Sequence, residues 1–186
     1  MPVAIHGPPR ASATDAMNYW LTTCWPAVRG RTPQTALGVF LEAGKQEAAK
    51  DMRPGDLVLI YEFKSAPPEL RRDGQGGRPL ADRWPGREGI VVVAKAVGRP
   101  KTPEEVPTLH VGRDPACWIR IVDMRLPNYN GFVPRDEVIR ILGFKRGSRL
   151  WGIGRKHSGL YRLGEEQFNQ LLRLFKGRQP VSPATV

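Results

Sequence analysis

The sequence predicts an α+β domain, a small mixed/antiparallel β-barrel flanked by short helices. Runs of apolar and β-branched residues of strand length outnumber stretches with helical spacing. The two kinds of element do not alternate regularly, which argues against a doubly wound parallel sheet. The 18 Pro and 20 Gly residues cut the chain into short elements joined by turns rather than into a helical bundle. At 186 residues the chain fits one domain and is long enough to bury a core.

Asn18 to Cys24 is rich in aromatic and β-branched residues and reads as a strand stopped by Trp25-Pro26. Gln34 to Asp51 reads as a helix, with Leu37, Phe40, Leu41, Ala48 and Met52 roughly on one side and Gly44 as its weak point. Arg53-Pro54-Gly55-Asp56 turns into the apolar strand Leu57 to Tyr61. Gly89 to Val97, around Ile90-Val91-Val92-Val93, is the next strand, and Cys117 to Val122 the one after it. Pro134 to Leu142 reads as a short helix with Pro and acidic residues in its first turn, where the helix dipole favours them, and Gly143 ends it. Leu150 to Ile153 and Leu160 to Leu163 form a closing strand pair. Gly164 opens the last helix, whose apolar side is Phe168, Leu171, Leu172, Leu174 and Phe175. Residues 1–16 read as a disordered leader, 17–176 as a single domain, and 177–186 as a flexible tail or linker stub.

Lys and Arg outnumber Asp and Glu by 29 to 18, a formal charge of +11. Such an excess suits a polyanionic partner, because each phosphate contact releases counterions; the plainer reading is a generally basic protein. Cys24 and Cys117 are far apart, and with His6, His110 and His157 they complete no metal-ligand spacing, so no metal and no cofactor are expected. No apolar run is long enough to span a bilayer and the start lacks the pattern of a signal peptide, which predicts a cytoplasmic protein with reduced thiols.

Two basic stretches stand out. Lys64 to Glu88 is a long loop carrying Arg71, Arg72, Arg78, Arg83 and Arg87, with Trp84 near its end. A loop of that length inside a compact domain is either functional or a mobile insertion. The second stretch holds Lys145, Arg146, Arg149, Arg155 and Lys156 with no acidic residue among them, and Trp151 sits in the middle. Basic side chains around a large aromatic suit phosphate positioning plus base stacking. The alternative is a solvated loop with Trp151 turned into the core.

Four segments in order resemble EVE domains, relatives of YTH domains within the PUA-like superfamily. They are Asn18-Tyr19-Trp20-Leu21 followed by Trp25-Pro26; Met52 to Tyr61 with its Gly-Asp turn; Gly89 to Ala94; and Ser158 to Leu163 followed by Glu165-Glu166-Gln167-Phe168. The resemblance spans Asn18 to Phe175. It implies a PUA-like barrel with one pocket for an unstacked base, in several EVE modules a modified cytosine in DNA, often beside a fused restriction nuclease. A flipped base needs aromatic faces and a few polar groups for its Watson–Crick edge. By position the resemblance places Thr23, Cys24 and Trp25 at the pocket rim, with Trp25 as the stacking wall. Tyr61 and Phe63, on one parity of their strand, either line that cavity or belong to the core. His157 and Ser158, with Arg155, approach it from the penultimate turn. Two features depart from the family: Val39-Phe40-Leu41 stands where Val-Arg-Asn is usual, and the Lys64 to Glu88 loop is longer than in many members.

The leading expectation is therefore a binding module, not an enzyme. It would read a modified base, 5-methyl- or 5-hydroxymethylcytosine, in duplex DNA for a restriction or defence system with a fused or partner nuclease. The alternative is an RNA-binding PUA-like protein acting on tRNA, rRNA or modified RNA. Asp56 with Glu62-Phe63-Lys64 only superficially matches a nuclease motif, since the Gly-Asp has a simpler role in the turn. Gly152-Ile153-Gly154 is too slight for a nucleotide loop. A third reading, a small enzyme using Cys24 and His157, lacks an orienting residue and an oxyanion hole.

Overall fold

The computed structural model describes residues 17–24, 38–42, 49–64, 86–105, 115–124, 131–145 and 160–177. Its strands are β1 (Tyr19–Cys24), β2 (Gly38–Glu42), β3 (Leu57–Glu62), β4 (Gly89–Ala96), β5 (Pro115–Asp123), β6 (Val133–Pro134) and β7 (Leu160–Leu163). Two helices follow the later strands, α1 (Arg135–Leu142) and α2 (Glu165–Gly177). All seven strands belong to one sheet in the order β2-β5-β4-β3-β1-β7, with β6 beside β4. β1 and β3 run parallel and every other pair is antiparallel. Parallel neighbours need a crossover. Here the chain leaves β1, places β2 beside β5 at the far edge, and returns to β3.

The two-residue period of strands sorts the apolar residues onto two faces. On one face Leu21, Leu59, Tyr61, Ile90 and Leu163 pack with Val138, Ile139 and Leu142 of α1 and Phe168, Leu171 and Phe175 of α2. On the other, Trp20, Val58, Ile60, Ala94, Ala96, Ile119, Ile121 and Leu160 form a second cluster with Ala49 and Met52. α2 buries positions i, i+3 and i+7, the stripe expected of a helix lying on a sheet. α1 ends as the sequence predicts, Gly143 taking φ +70 while its N–H reaches the Arg140 carbonyl.

The α+β class and the mixed sheet with short flanking helices are as the sequence predicts. Among the described residues the edge strands β2 and β7 do not pair, so the sheet is open rather than closed on itself. One element differs in kind. Within the expected helix Gln34 to Asp51, Gly38–Glu42 is a strand, antiparallel to β5 with Phe40 opposite Trp118. A short apolar run does not by itself separate helix from strand. Here backbone hydrogen bonding to a strand far along the chain decides it, and the only helical residue described in that stretch is Ala49.

Residues 1–16, most of the long loop, Leu150 to Ile153 and the tail beyond Gly177 lie outside the described residues. Among those described, no helix is long and apolar enough to cross a membrane.

Candidate nucleic-acid interface

Parallel pairing brings the C-terminal ends of β1 and β3 together. Thr23 lies opposite Tyr61 and Cys24 opposite Glu62, and the Phe63 N–H donates to the Cys24 carbonyl at 3.0 Å. β4 starts at this same end, with Gly89 opposite Glu62. β7 does too, because Leu160 is opposite Thr22. The Gly86 N–H donates to the Lys64 carbonyl at 2.9 Å, which joins the two stems of the long basic loop. Trp25, the loop that carries the arginines, and the segment that delivers His157 and Ser158 are thus all attached at one end of the sheet.

The side chains at this end are unequal. Tyr61 is 1% exposed and sits inside the core, its ring edge-on to Phe63 at 5.7 Å. Burial, and then the Glu88 carboxylate, push its hydroxyl pKa up, with Arg135 working against them. Phe63 is half-buried against the same cluster. Thr23 shares the parity of Leu21, whereas Cys24 faces the second cluster. Cys24 is a half-buried free thiol. Burial, and to a lesser degree Glu62, push its pKa up to about 12, against the pull of Arg87. It is therefore uncharged near neutrality and a poor nucleophile.

A β-bulge sits here as well. The β3–β4 register shifts between Ile60 and Tyr61, where Val92 and Ile90 are the successive partners. Bulges re-aim strand ends and are frequent beside sites. Just outside, Arg87 pairs with Glu62 (backbone N–H to Oε2 2.7 Å, Nε to Oε2 3.6 Å) and its guanidinium lies 6.0 Å from the centre of the Phe132 ring. Arg135 meets Glu88 twice, through its N–H to the carbonyl at 3.0 Å and its Nε to Oε1 at 3.5 Å. Glu88 holds φ +54, an uncommon conformation for a side-chain-bearing residue. Phe132 and Arg135 are not among the site residues the sequence suggests. Their signal, an aromatic and an arginine flanking the start of α1, has meaning only once β6 is seen to pair with β4.

Lys145 is exposed just past α1, next to Phe144, whose ring meets Tyr161 edge-on at 5.8 Å. Trp25, His157, Ser158, Arg71, Arg72, Arg78, Arg83, Arg146, Arg149, Arg155 and Lys156 lie outside the described residues.

The opposite end of the β1–β3 pair is built differently. Arg53-Pro54-Gly55-Asp56 is a turn closed by the Asp56 N–H to the Arg53 carbonyl at 3.1 Å, with Gly55 at φ +102, where a side chain would be strained. Asp56 is 3% exposed. Its carboxylate accepts from the Asn18 N–H (3.0 Å), Asn18 Nδ2 (3.3 Å), Trp20 Nε1 (2.9 Å) and the Arg53 N–H (2.9 Å). Arg162 on β7 donates to Asn18 Oδ1 and lies over the Trp20 ring at 5.9 Å.

No protein-family model matches the chain, and no curated protein matches it. Solved structures similar to it include human THYN1 in complex with 5-methylcytosine-containing DNA, at 15% identity and TM-score 0.43 over 88% of this chain and 99% of that one. The DUF55 domain of human thymocyte nuclear protein 1 is similar at 13% identity and TM-score 0.45, over 86% and 99%. A Pseudomonas putida protein is similar at 12% identity and TM-score 0.47, over 84% and 98%. All three TM-scores are below 0.5, and these likenesses assign neither family nor function to the chain.

Proposed function

We propose that this protein is a nucleic-acid reader of the EVE type that accommodates a flipped, modified base, 5-methyl- or 5-hydroxymethylcytosine in DNA, and serves a modification-dependent restriction or defence effector. One observation carries the reading: three separate segments with residues suited to base or phosphate contact join the sheet at the same end. Trp25 directly follows β1 in the sequence, the stems of the Lys64 to Glu88 loop meet at Lys64 and Gly86 just past the end of β3, and the chain after His157 and Ser158 enters β7 opposite Thr22. The four segments that resemble EVE domains also fall on four adjoining strands, β4-β3-β1-β7. A formal charge of +11 supplies the sequence-independent attraction to phosphate. The neutral, half-buried Cys24 thiol speaks against the enzyme reading that uses Cys24 and His157.

The test is a set of titrations with matched duplexes carrying cytosine, 5-methylcytosine, 5-hydroxymethylcytosine or N6-methyladenine, beside a structured RNA. 5-Methylcytosine is the first probe because modified cytosine is what the EVE resemblance implies. Tighter binding to one modified duplex is expected, and equal affinity for modified and plain DNA overturns the reading. Preference for the RNA favours the tRNA- or rRNA-binding alternative. Trp25→Ala should abolish discrimination in a folded protein. Replacing Lys145 and Arg146 by Ala should weaken binding to all duplexes alike and lower the salt slope by about 1–2.

A further inference from the structure

The base-reading proposal leaves the polar end of the β1–β3 pair unused, and that end holds a cleft of about 280 Å³ lined by Asn18, Asp51, Arg53 and Arg162. We propose that this cleft is an oxyanion site that takes a phosphate group.

The case begins with Arg162, whose position is imposed by its neighbours. Asn18 is 9% exposed and held on three sides: its N–H and Nδ2 donate to Asp56, and Nδ2 also reaches the Asp51 carbonyl at 3.3 Å. With its amide nitrogen committed inward, Asn18 has only Oδ1 to offer outward, and Arg162 donates to it. The Trp20 ring beneath the guanidinium is itself fixed by the bond from Nε1 to Asp56. A guanidinium restrained in this way gives up part of its rotamer freedom in folding, so capturing an anion costs less further entropy. One of its five N–H donors serves Asn18; the planar fork can present others to two oxygens of one ligand.

Arg53 adds a second guanidinium to the lining and Asp51 a carboxylate. The polar lining is unlike the mostly apolar pockets that bind larger organic ligands. The cleft sits at the start of β1 and the candidate base-reading end at its close, about 17 Å away at strand spacing. One strand of a duplex advances roughly 3.4 Å per phosphate, so a backbone gripped here is about five nucleotides from the inspected base. A nucleic-acid source for the phosphate rests on the reader reading above; binding of free phosphate does not.

The experiment uses the full chain and two substitutions. Asp51→Asn removes the opposing carboxylate from an exposed residue whose backbone carbonyl, not its side chain, accepts from Asn18. Arg162→Gln removes the pinned guanidinium. Each protein is titrated with an unmodified duplex by fluorescence anisotropy at several salt concentrations, and with inorganic phosphate by calorimetry at constant ionic strength. Asp51→Asn should tighten at least one probe by about 3- to 5-fold, and Arg162→Gln should weaken the same probe by about 5- to 10-fold with a salt slope smaller by about 1. A response to the duplex alone identifies the backbone as the source; a response to inorganic phosphate alone identifies the free anion. Unchanged affinity for both probes in Asp51→Asn overturns the site, even if Arg162→Gln fails to fold. Discrimination between modified and plain DNA is read separately. Its absence alongside a responsive Asp51→Asn variant removes the reader reading and leaves the cleft standing.

Discussion

At the start of the β1–β3 pair the carboxylate of buried Asp56 gathers four donors from Asn18, Trp20 and Arg53, and at the close of the same pair Arg87–Glu62 and Arg135–Glu88 are ion pairs with one exposed partner each. The first arrangement cannot change without leaving N–H groups unsatisfied away from water. The second can exchange its partners for water or a ligand at little cost, because exposed ion pairs contribute only about 0–1 kcal/mol. One end is therefore suited to hold the register of β1 against β3 and the other to receive a partner. The cleft at Arg162 borrows rigidity from the first end for a task on the surface.

The sharpest way to break this comparison is Asp56→Ala. Removing the acceptor leaves the Trp20 Nε1–H, the Asn18 and Arg53 N–H groups and the Asn18 amide without their partner. A loss of about 3–5 kcal/mol in unfolding free energy is expected, measured by urea denaturation. A loss below ~1 kcal/mol would mean that the carboxylate does not organise this end. At the other end Gly89→Ala should cost about 1–3 kcal/mol by overpacking, since a Cβ there would collide with the Val133 carbonyl oxygen and the Phe132 ring. The same denaturation series reads it.

The smallest effect is a dependence on alkaline pH at the close of the strands. Cys24 has its pKa raised from 9.0 to about 12, mainly by burial, so the folded state favours the neutral thiol. That contribution is fully present below pH ~9 and is lost as pH rises toward 12, because the unfolded chain releases the proton first. Tyr61 is shifted in the same direction and adds to the loss. Stability should fall across this window, and Cys24→Ala should make the fall shallower. An identical profile in the variant would show that Cys24 takes no part. Alkylation of the folded wild-type protein at pH 8 should also be at least about a hundredfold slower than that of an unfolded control.

Much of the frame was legible in the residues. β1, β3, β4 and β7 were recognisable because each is a compact apolar run bounded by turn residues, and α1 and α2 because their first turns, apolar stripes and terminal Gly agree with one another. Gly38–Glu42 reads as helix in the sequence because Phe40 and Leu41, with Leu37 three positions earlier, also fit one face of a helix. Its neighbour β5, which decides the matter, lies some eighty residues away in sequence. At the candidate site the parity of Tyr61 and Phe63 was legible but their burial was not. Tyr61 is enclosed by residues of α1, α2 and β4 whose proximity no local pattern reveals. The opposite facing of Thr23 and Cys24, by contrast, follows from strand geometry alone.

Sequence by itself determined the class of fold, the excess of positive charge, the turn at Gly55-Asp56 and the apolar periodicity of the strands and later helices, all of which depend on neighbours in the chain. Tertiary structure alone decided that β1 and β3 run parallel, that three basic or aromatic segments attach at one end, and that Asp56 becomes a buried hub with Arg162 held above Trp20. Those outcomes join residues up to 144 positions apart, as Arg162 and Asn18 are. They arise from pairing and burial across the whole sheet, where every buried N–H and carboxylate oxygen must find a partner, and local propensity carries no information about which partner that will be.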